Sequence, residues 1–203
     1  MSGSSSDRDL HELWLHLEEA GPIADGCELG DVYPEDSERA YAQTARRRTF
    51  IAFYSWAVPS RSAINAIAAF AGGRSLLEVC AGSGLWSRLL AETGVKVIAT
   101  DAGPPTQTYL PVLTQEAEGA VREHPECRAL LLCWPPFRDG CAYRALRAFA
   151  GDRAVFAGDA RFAADRQFHE LLKQEWVLQE SLAIPAWPGL EDQAYLFLRK
   201  RLE

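Results

Sequence analysis

The sequence lacks the features that mark a secreted, membrane-bound or nucleic-acid-binding protein. Its five cysteines include no C-x-x-C pair, and their scatter predicts reduced thiols in a cytoplasmic protein, with neither a disulfide framework nor a metal site such as zinc: Cys27, Cys80, Cys127, Cys133 and Cys141. With 21 basic against 28 acidic residues, the formal net charge is −7, which disfavours binding of nucleic acid through its phosphates. No apolar run approaches the length of a membrane span, so no membrane partner is expected.

The remaining composition is that of an ordinary globular domain. At 203 residues, 48% of them hydrophobic, the chain suits one domain with a core, alone or with an appendage. The polar start of the chain lacks the apolar stretch of a signal peptide, and we expect residues 1–8 to form a disordered tail. The one basic run, Arg46–Arg48, lies in a helix-like segment and is interpreted as a solvated face.

The most informative stretch runs from Leu76 to Trp86. A short apolar run that contains an acid, Glu78, is followed by small residues and two glycines, Gly82 and Gly84, before a helical pattern begins. This order predicts a strand, a tight turn and a helix. Glycine lets a ligand lie against the bare main chain, and free N–H groups at the start of the helix stabilise a bound anionic group.

Two classes of nucleotide cofactor use such a turn. Dinucleotide sites usually have the longer pattern G-x-G-x-x-G, but Leu85, Trp86 and Ser87 follow Gly84, so the third glycine is absent. Glu78 would repel a pyrophosphate and suits a ligand that carries an ammonium and a sulfonium. The turn resembles motif I of class I methyltransferases, which depend on S-adenosylmethionine (SAM). The alternative is a glycine turn that only reverses the chain.

A second acid follows one strand and one helix later. The strand pattern 95–101 ends in Asp101, and an acid in this place can accept hydrogen bonds from both ribose hydroxyls of a nucleoside; a plain turn residue is the alternative. Glu116 follows a weak third strand, 110–114, and the resemblance implies a contact with adenine, with a surface acid as the alternative. The cofactor-binding residues that the resemblance implies are Glu78, Ala81, Gly82, Ser83, Gly84, Trp86, Asp101, Ala102, Glu116, Ala117, Cys133 and Trp134.

The fourth predicted strand, 128–133, ends in Trp134-Pro135-Pro136-Phe137. Methyltransferases that act on the amino groups of adenine or glutamine have Asp, Asn or Ser before a Pro-Pro-aromatic sequence, and that residue accepts a hydrogen bond from the amine. Trp134 cannot accept one, because an indole offers a donor and a π face. The presence of Trp134 instead of Asp, Asn or Ser counts against adenine or glutamine as the methylated group and permits an aromatic or cationic acceptor.

The same segments are similar to a family of bacterial methyltransferase-like proteins over about residues 50–200. The resemblance is carried by Tyr54-x-Trp56-Ala57-Val58-Pro59, by the glycine turn and by Cys133-Trp134-Pro135-Pro136-Phe137. It supports the fold and the cofactor and leaves the acceptor open.

Helical patterns fill the chain before the turn, over 9–20, 37–57 and 60–70. We therefore expect an N-terminal helical cap over residues 9–71 and a SAM-binding core over residues 72–203. The candidate catalytic residues are Asp159, after a fifth strand, together with Trp134 and Tyr54. Tyr33, Tyr54, Trp56 and Trp134 could form an aromatic wall, or could pack the cap on the sheet. His169 is expected to face solvent or to be satisfied in the core.

These observations define one fold and three functional hypotheses. The fold class is α/β, a Rossmann-like seven-stranded class I methyltransferase sheet with an N-terminal helical cap. The first hypothesis is a cytoplasmic SAM-dependent methyltransferase, monomeric or homodimeric, that serves biosynthesis by methylating nitrogen, oxygen or carbon of a small molecule. The second is an enzyme that uses SAM without methyl transfer, for example by cyclisation. The third is a non-catalytic SAM-binding module, which Cys80 and Ala81 motivate weakly.

Overall fold

The computed structural model describes residues 5–22 and 37–201. Three helices precede the sheet: α1 (Ser5–Ala20), α2 (Ser37–Phe53) and α3 (Arg61–Ala71). Seven strands follow: β1 (Leu76–Val79), β2 (Val97–Asp101), β3 (Val112–Thr114), β4 (Ala129–Cys133), β5 (Arg153–Gly158), β6 (Trp176–Ala183) and β7 (Gln193–Arg199). Between them lie α4 (Leu85–Glu92), α5 (Ala117–Glu123), α6 (Cys141–Ala148) and α7 (Arg166–Glu175).

All seven strands belong to one sheet, in the order β3-β2-β1-β4-β5-β7-β6. The first five are parallel, whereas β7 runs antiparallel to both β5 and β6. The predicted seven-stranded α/β sheet is therefore confirmed, and it ends in an antiparallel hairpin of β6 and β7. The chain reverses its direction of winding between β1 and β4, and ligands of such sheets bind beyond the carboxyl ends of the strands at this point.

Both faces of the sheet are covered, which explains why the central strands read as continuous apolar runs. Every residue of β4 is buried. One buried cluster joins α1, the end of α2, α3 and α4 to one face, and a second joins α5, α6 and α7 to the other. This three-layer arrangement leaves the carboxyl edge of the parallel strands free for a site.

Several helix ends follow from single residues. The Ser60 hydroxyl accepts a hydrogen bond from the N–H of Ala63 at 3.2 Å and begins α3, as expected, and Gly72 ends that helix in a left-handed conformation. Asp165 begins α7 in the same way, since its carboxylate accepts from the N–H of Phe168 at 3.0 Å.

The first two helices differ from expectation in their bounds. Helix α1 begins at Ser5, within the segment expected to be a tail, and residues 1–4 lie outside the described residues. Helix α2 ends at Phe53 and not at Ala57. Beyond it, the Tyr54 carbonyl accepts a hydrogen bond from Ser83 in the glycine turn, and the Ala57 carbonyl accepts one from Trp86 in α4. Tyr33 and Cys27 also lie outside the described residues. In the described ranges, no helix combines the length and hydropathy needed to cross a bilayer.

Candidate cofactor and acceptor site

The glycine turn after β1 is held by the acid at the end of β2. Asp101 accepts a hydrogen bond from the N–H of Gly82 at 2.8 Å and from the N–H of Gly103 at 2.9 Å. The turn needs left-handed backbone at three positions, with φ of 56° at Cys80, 53° at Gly82 and 74° at Gly84. Asp101 thus lies beside the turn, as predicted, and also fixes its shape.

The two glycines have different roles. A side chain at Gly82 would meet no atom within 4 Å, so this part of the turn borders open space. A Cβ at Gly84 would lie 2.9 Å from Val112 Cγ2 and 3.5 Å from Leu110 Cγ. Gly84 is therefore required by close packing, while Gly82 leaves bare main chain that a ligand can approach.

Glu78 is fully buried beneath the turn. One carboxylate oxygen, Oε2, accepts hydrogen bonds from the N–H of Ser87 at 3.0 Å and from the Ser87 hydroxyl at 2.5 Å. These contacts place a negative charge at the start of α4, where the helix dipole stabilises it. Burial nevertheless raises the pKa of Glu78 to about 7, against the effect of the Ser87 hydrogen bonds. The other oxygen, Oε1, is buried without a hydrogen-bond partner.

The cap meets the turn through its backbone. The Ser83 hydroxyl donates to the Tyr54 carbonyl, and the Tyr109 hydroxyl donates to the Phe53 carbonyl at 3.0 Å. The Tyr54 ring packs against Tyr109, with centroids 6.4 Å apart. Tyr54 is thus brought to the turn, as the aromatic-wall hypothesis requires, although its contacts are also those of a packing residue.

Besides Glu78 and Ala117, three further predicted cofactor-binding side chains are buried. Trp86 is 1% exposed, and its indole N–H donates to the Ala57 carbonyl at 3.1 Å. Ala81 and Cys133 are also buried. These buried side chains pack beneath the turn and the end of β4. Their predicted contact with a cofactor stays a prediction, and it would involve their main-chain atoms.

An open cavity of about 390 Å³ lies between the starts of α5 and α6. Glu116, which directly precedes α5, lines it together with Ala117 and Cys141. The sulfur of Cys141 lies 3.8 Å from that of Cys80, which joins this cavity to the glycine turn. The structure therefore brings Glu116 and Ala117 near the turn. Ala102 is exposed and follows the end of β2.

Trp134 organises the other half of the carboxyl edge. Its φ is 46°, and its N–H donates to the Ala157 carbonyl at 2.8 Å. The ring lies against Gly158, where a Cβ would be 2.9 Å from Trp134 Cδ1. The indole N–H donates to Asp192 Oδ1 at 2.9 Å. Sequence reasoning missed Asp192, which begins the approach to β7 and is 2% exposed.

The basic run does not lie wholly in solvent, so that interpretation was wrong in part. The guanidinium carbon of Arg47 is 5.6 Å from the ring centroid of Trp56 and 5.5 Å from that of Trp134, whose rings are themselves stacked 5.8 Å apart. Arg46 donates to the Ala20 carbonyl at 3.2 Å, and Arg48 is exposed. An amphipathic pattern indicates which helical positions face inward but does not show that an arginine will rest on aromatic rings.

Asp159 lies at the same edge but is occupied by other groups. Its carboxylate pairs with Arg161 at 2.6 Å and accepts from the N–H of Glu191 at 2.8 Å. Burial opposes ionisation of Asp159, but these hydrogen bonds outweigh it and lower its pKa. Because both oxygens are engaged, the geometry favours a structural role for Asp159 over the predicted contact with an acceptor.

Two other aromatic residues make packing contacts. His169 is half-buried, with Nε2 3.0 Å from the Ala163 carbonyl and the ring edge-on against Phe156, so it lies between the two expected placements, solvent and core. Trp187 is 2% exposed and lies 5.7 Å, centroid to centroid, from Phe50.

The residues at the turn fit a nucleoside with a cationic side chain. Glu78 Oε1 is a buried acceptor without a donor, Gly82 borders open space, and Asp101, the last residue of β2, binds the N–H of Gly82. An ammonium suits such an unpaired carboxylate oxygen. These carboxylate acceptors match the ammonium and ribose hydroxyl donors of SAM.

No family model matches the chain, and no curated protein matches it in sequence. Solved structures resemble its fold. Burkholderia thailandensis 1,6-didemethyltoxoflavin-N1-methyltransferase, crystallised with 1,6-didemethyltoxoflavin and S-adenosylhomocysteine, has a TM-score of 0.50 and 16% identity, with 83% of this chain and 93% of that chain covered. The methyltransferase domain of bacterial CtHen1 also has a TM-score of 0.50, at 10% identity, with 68% and 96% covered.

A Streptococcus mutans protein assigned as a SAM-dependent methyltransferase has a TM-score of 0.50 and 11% identity over 70% of this chain. The match spans about half of that protein, 49% of its length. At these identities the similarity concerns the fold alone, which is the Rossmann-like fold of class I methyltransferases. Proteins of this fold include enzymes that use SAM as cofactor.

Proposed function

We propose that the protein is a SAM-dependent methyltransferase that acts on a small-molecule acceptor, at nitrogen or oxygen, with carbon as a further option. The observation that carries the proposal is the pair of acids around an open glycine turn. Asp101 holds the Gly82 N–H at 2.8 Å, and Glu78 keeps one buried oxygen without a partner. The free thiols among the described residues support a reducing compartment such as the cytoplasm.

Each part of the cofactor would have its own residues. Asp101 would accept hydrogen bonds from the ribose hydroxyls, since each of its oxygens accepts one hydrogen bond from the main chain and has a second lone pair. Glu78 Oε1 would accept from the ammonium, and Gly82 would let the main chain approach the ligand. Glu116 and Ala117 would border the adenine ring, because they line the cavity beside the turn.

Bound SAM supplies a methyl group on a sulfonium, which is already an activated leaving group. The protein would contribute alignment and exclusion of water. Tyr54 and Phe53, which are docked on Ser83 and Tyr109, would cover the turn from the cap. Trp56 and Trp134 would form the wall on the acceptor side.

The test is a calorimetric titration with S-adenosylhomocysteine. We expect micromolar affinity for the unmodified protein and a loss of about 10- to 100-fold in Asp101→Ala, which removes an acceptor for two hydroxyls. Asp152→Ala is the matched control, because Asp152 pairs with Arg74 at the opposite edge of the sheet. This variant should bind S-adenosylhomocysteine as the unmodified protein does. A wild-type protein that binds no adenosyl ligand would contradict the proposal.

The Arg47 guanidinium already occupies the faces of Trp56 and Trp134, which also suits a reaction of SAM without a second substrate. Mass spectrometry after incubation with SAM alone separates the two functions. Methylthioadenosine would indicate cyclisation or a related reaction. S-adenosylhomocysteine together with a methylated acceptor would indicate methyl transfer.

A further inference from the structure

A positively charged side chain of the protein itself lies on the aromatic wall. The Arg47 guanidinium is within 6 Å of both indole centroids, at 5.6 Å from Trp56 and 5.5 Å from Trp134. Its Nε is buried without a hydrogen-bond partner. Burial lowers the pKa of Arg47, although Asp192 acts in the opposite direction. Arg47 is therefore held at this place by ring contacts and by charge, without a hydrogen bond from Nε.

A buried carboxylate with an unused oxygen lies behind the same rings. Asp192 is 2% exposed, and Trp134 holds its Oδ1 at 2.9 Å. Its Oδ2 is buried and has no hydrogen-bond partner. Buried polar atoms are nearly always paired, so an unpaired carboxylate oxygen next to a substrate wall is a strong indication of a binding role.

The charges at this edge favour a cation. Four buried or half-buried carboxylates lie at the strand ends or just beyond them: Glu78, Asp101, Asp159 and Asp192. Arg161 neutralises Asp159 by an ion pair at 2.6 Å. Burial raises the pKa of Asp192 to about 6, and the charges of Arg47 and Arg161 oppose this rise. Arg47 lies on the Trp134 ring whose N–H binds Asp192, so an outside cation in place of Arg47 would preserve that stabilising charge.

From this arrangement we propose that the acceptor molecule carries a planar amidinium or guanidinium group, which replaces the Arg47 guanidinium on Trp56 and Trp134 and donates a hydrogen bond to Asp192 Oδ2, while a neutral atom with a free lone pair elsewhere in the molecule takes the methyl group. The inference rests on the proposed function, since it specifies the acceptor of that site. Indole faces attract planar cations, and a forked N–H donor matches a carboxylate. Trp134, which cannot accept a hydrogen bond from the acceptor, would act by holding Asp192 in place.

Two probes of the same shape and opposite charge test the proposal. Benzamidine carries an aromatic ring and an amidinium, and benzoate carries the same ring and a carboxylate. Each is titrated by calorimetry into the full-length protein, with and without S-adenosylhomocysteine. We expect saturable binding of benzamidine and none of benzoate. Benzoate binding that disappears in Arg47→Ala would show that Arg47 is an anion receptor and would overturn the proposal, as would an absence of saturable benzamidine binding.

Two variants locate the contact. Asp192→Asn keeps an oxygen acceptor for Trp134 but removes the charge, and benzamidine affinity should fall about 10- to 100-fold. Arg47→Ala removes the internal competitor, and affinity should rise about 3- to 10-fold. Asp152→Asn and the exposed Arg48→Ala serve as matched controls. If Asp192→Asn does not fold, Arg47→Ala decides alone, and an unchanged or lower affinity there contradicts the proposal.

The design separates this inference from the proposed function. Binding of S-adenosylhomocysteine tests the cofactor site, whereas benzamidine binding measured without that ligand tests the aromatic wall. A protein that binds S-adenosylhomocysteine but not benzamidine would keep its proposed function and lose the cationic acceptor. A protein that binds benzamidine but not S-adenosylhomocysteine would have a cation site, and the proposed methyltransferase function would be contradicted.

Discussion

The two halves of the carboxyl edge of the sheet are built in different ways. In the half proposed to bind the cofactor (the cofactor half), at the ends of β1 and β2, the acids bind main-chain N–H groups that lie close in sequence, 9 residues away for Glu78 and 19 for Asp101. In the acceptor half, beyond β4 and β5, Trp134 binds a side chain 58 residues away, and the ring meets Arg47 from the cap. The first half is a local structure, and the second depends on the assembled fold.

The largest expected effect comes from Gly84→Val in the cofactor half. The variant combines a φ of 74° with a Cβ that would lie 2.9 Å from Val112 Cγ2. We expect a loss of about 2–5 kcal/mol in the free energy of unfolding, from strain and overpacking together. Urea denaturation measures it.

Gly73→Val is the matched control for Gly84→Val. Gly73 has a similar φ of 77°, but nothing lies within 4 Å of its Cβ position. Its cost should be limited to backbone strain, about 1–2 kcal/mol. Equal losses in the free energy of unfolding of the two variants would mean that the close approach to Val112 does not affect stability.

The next effect is a pH dependence from Glu78. Its folded pKa of about 7 lies above the ordinary value of 4.5, so the folded state binds the proton more tightly than the unfolded state. Stability from this group is present below pH 4.5 and is lost as pH rises toward 7, by up to about 3 kcal/mol. Relative to wild type, Glu78→Gln should gain stability over this range, as measured by urea denaturation at several pH values.

An exposed acid provides the comparison for Glu78. Glu180 is exposed on β6, and Glu180→Gln should follow the wild-type pH profile. If Glu78→Gln follows that profile too, Glu78 is not held in a desolvated site.

A smaller effect is expected from Trp134→Phe in the acceptor half. The change removes the indole N–H that binds Asp192 Oδ1, and Asp192 Oδ2 already lacks a partner. A buried carboxylate without any donor should cost about 1–3 kcal/mol, seen as a lower midpoint of thermal unfolding. Trp56→Phe is the control, since Trp56 is 50% exposed, and it should change the midpoint little. A larger drop of the midpoint in Trp56→Phe than in Trp134→Phe would contradict the structural role assigned to Trp134.

The difference between the halves also explains how much could be predicted from sequence. The turn and the positions of its two acids depend on patterns within a few residues or on one strand–helix unit, and the seven-stranded sheet follows from the fold that these patterns resemble; these predictions hold in the fold. The roles of the other predicted site residues depend on which side chains the rest of the chain buries or pairs. Trp86 looked like a ligand contact but lies in the core, and Asp159 has the predicted place but is paired with Arg161.

Asp192 and Arg47 could not be found from local pattern. Asp192 lies in the loop between β6 and β7 and resembles a turn acid, and Arg47 belongs to a basic run on a helix. Each joins the candidate acceptor site only through its contact with Trp134, which lies far from both in sequence. Contacts of this kind follow from the packing of the cap on the sheet, and no periodicity in the sequence encodes them.

The smallest expected effect is the coupling between the two halves, which a double-mutant cycle on stability measures. Asp101→Ala and Asp192→Asn share no hydrogen-bond partner, and their effects should add within about 0.5 kcal/mol. Trp134→Phe with Asp192→Asn is the contrasting pair, because these side chains are in contact at 2.9 Å, and their interaction energy should exceed about 0.5 kcal/mol. A large coupling in the first pair would mean that cofactor and acceptor sites form one network, and ligands at the two sites would then influence each other's affinity reciprocally.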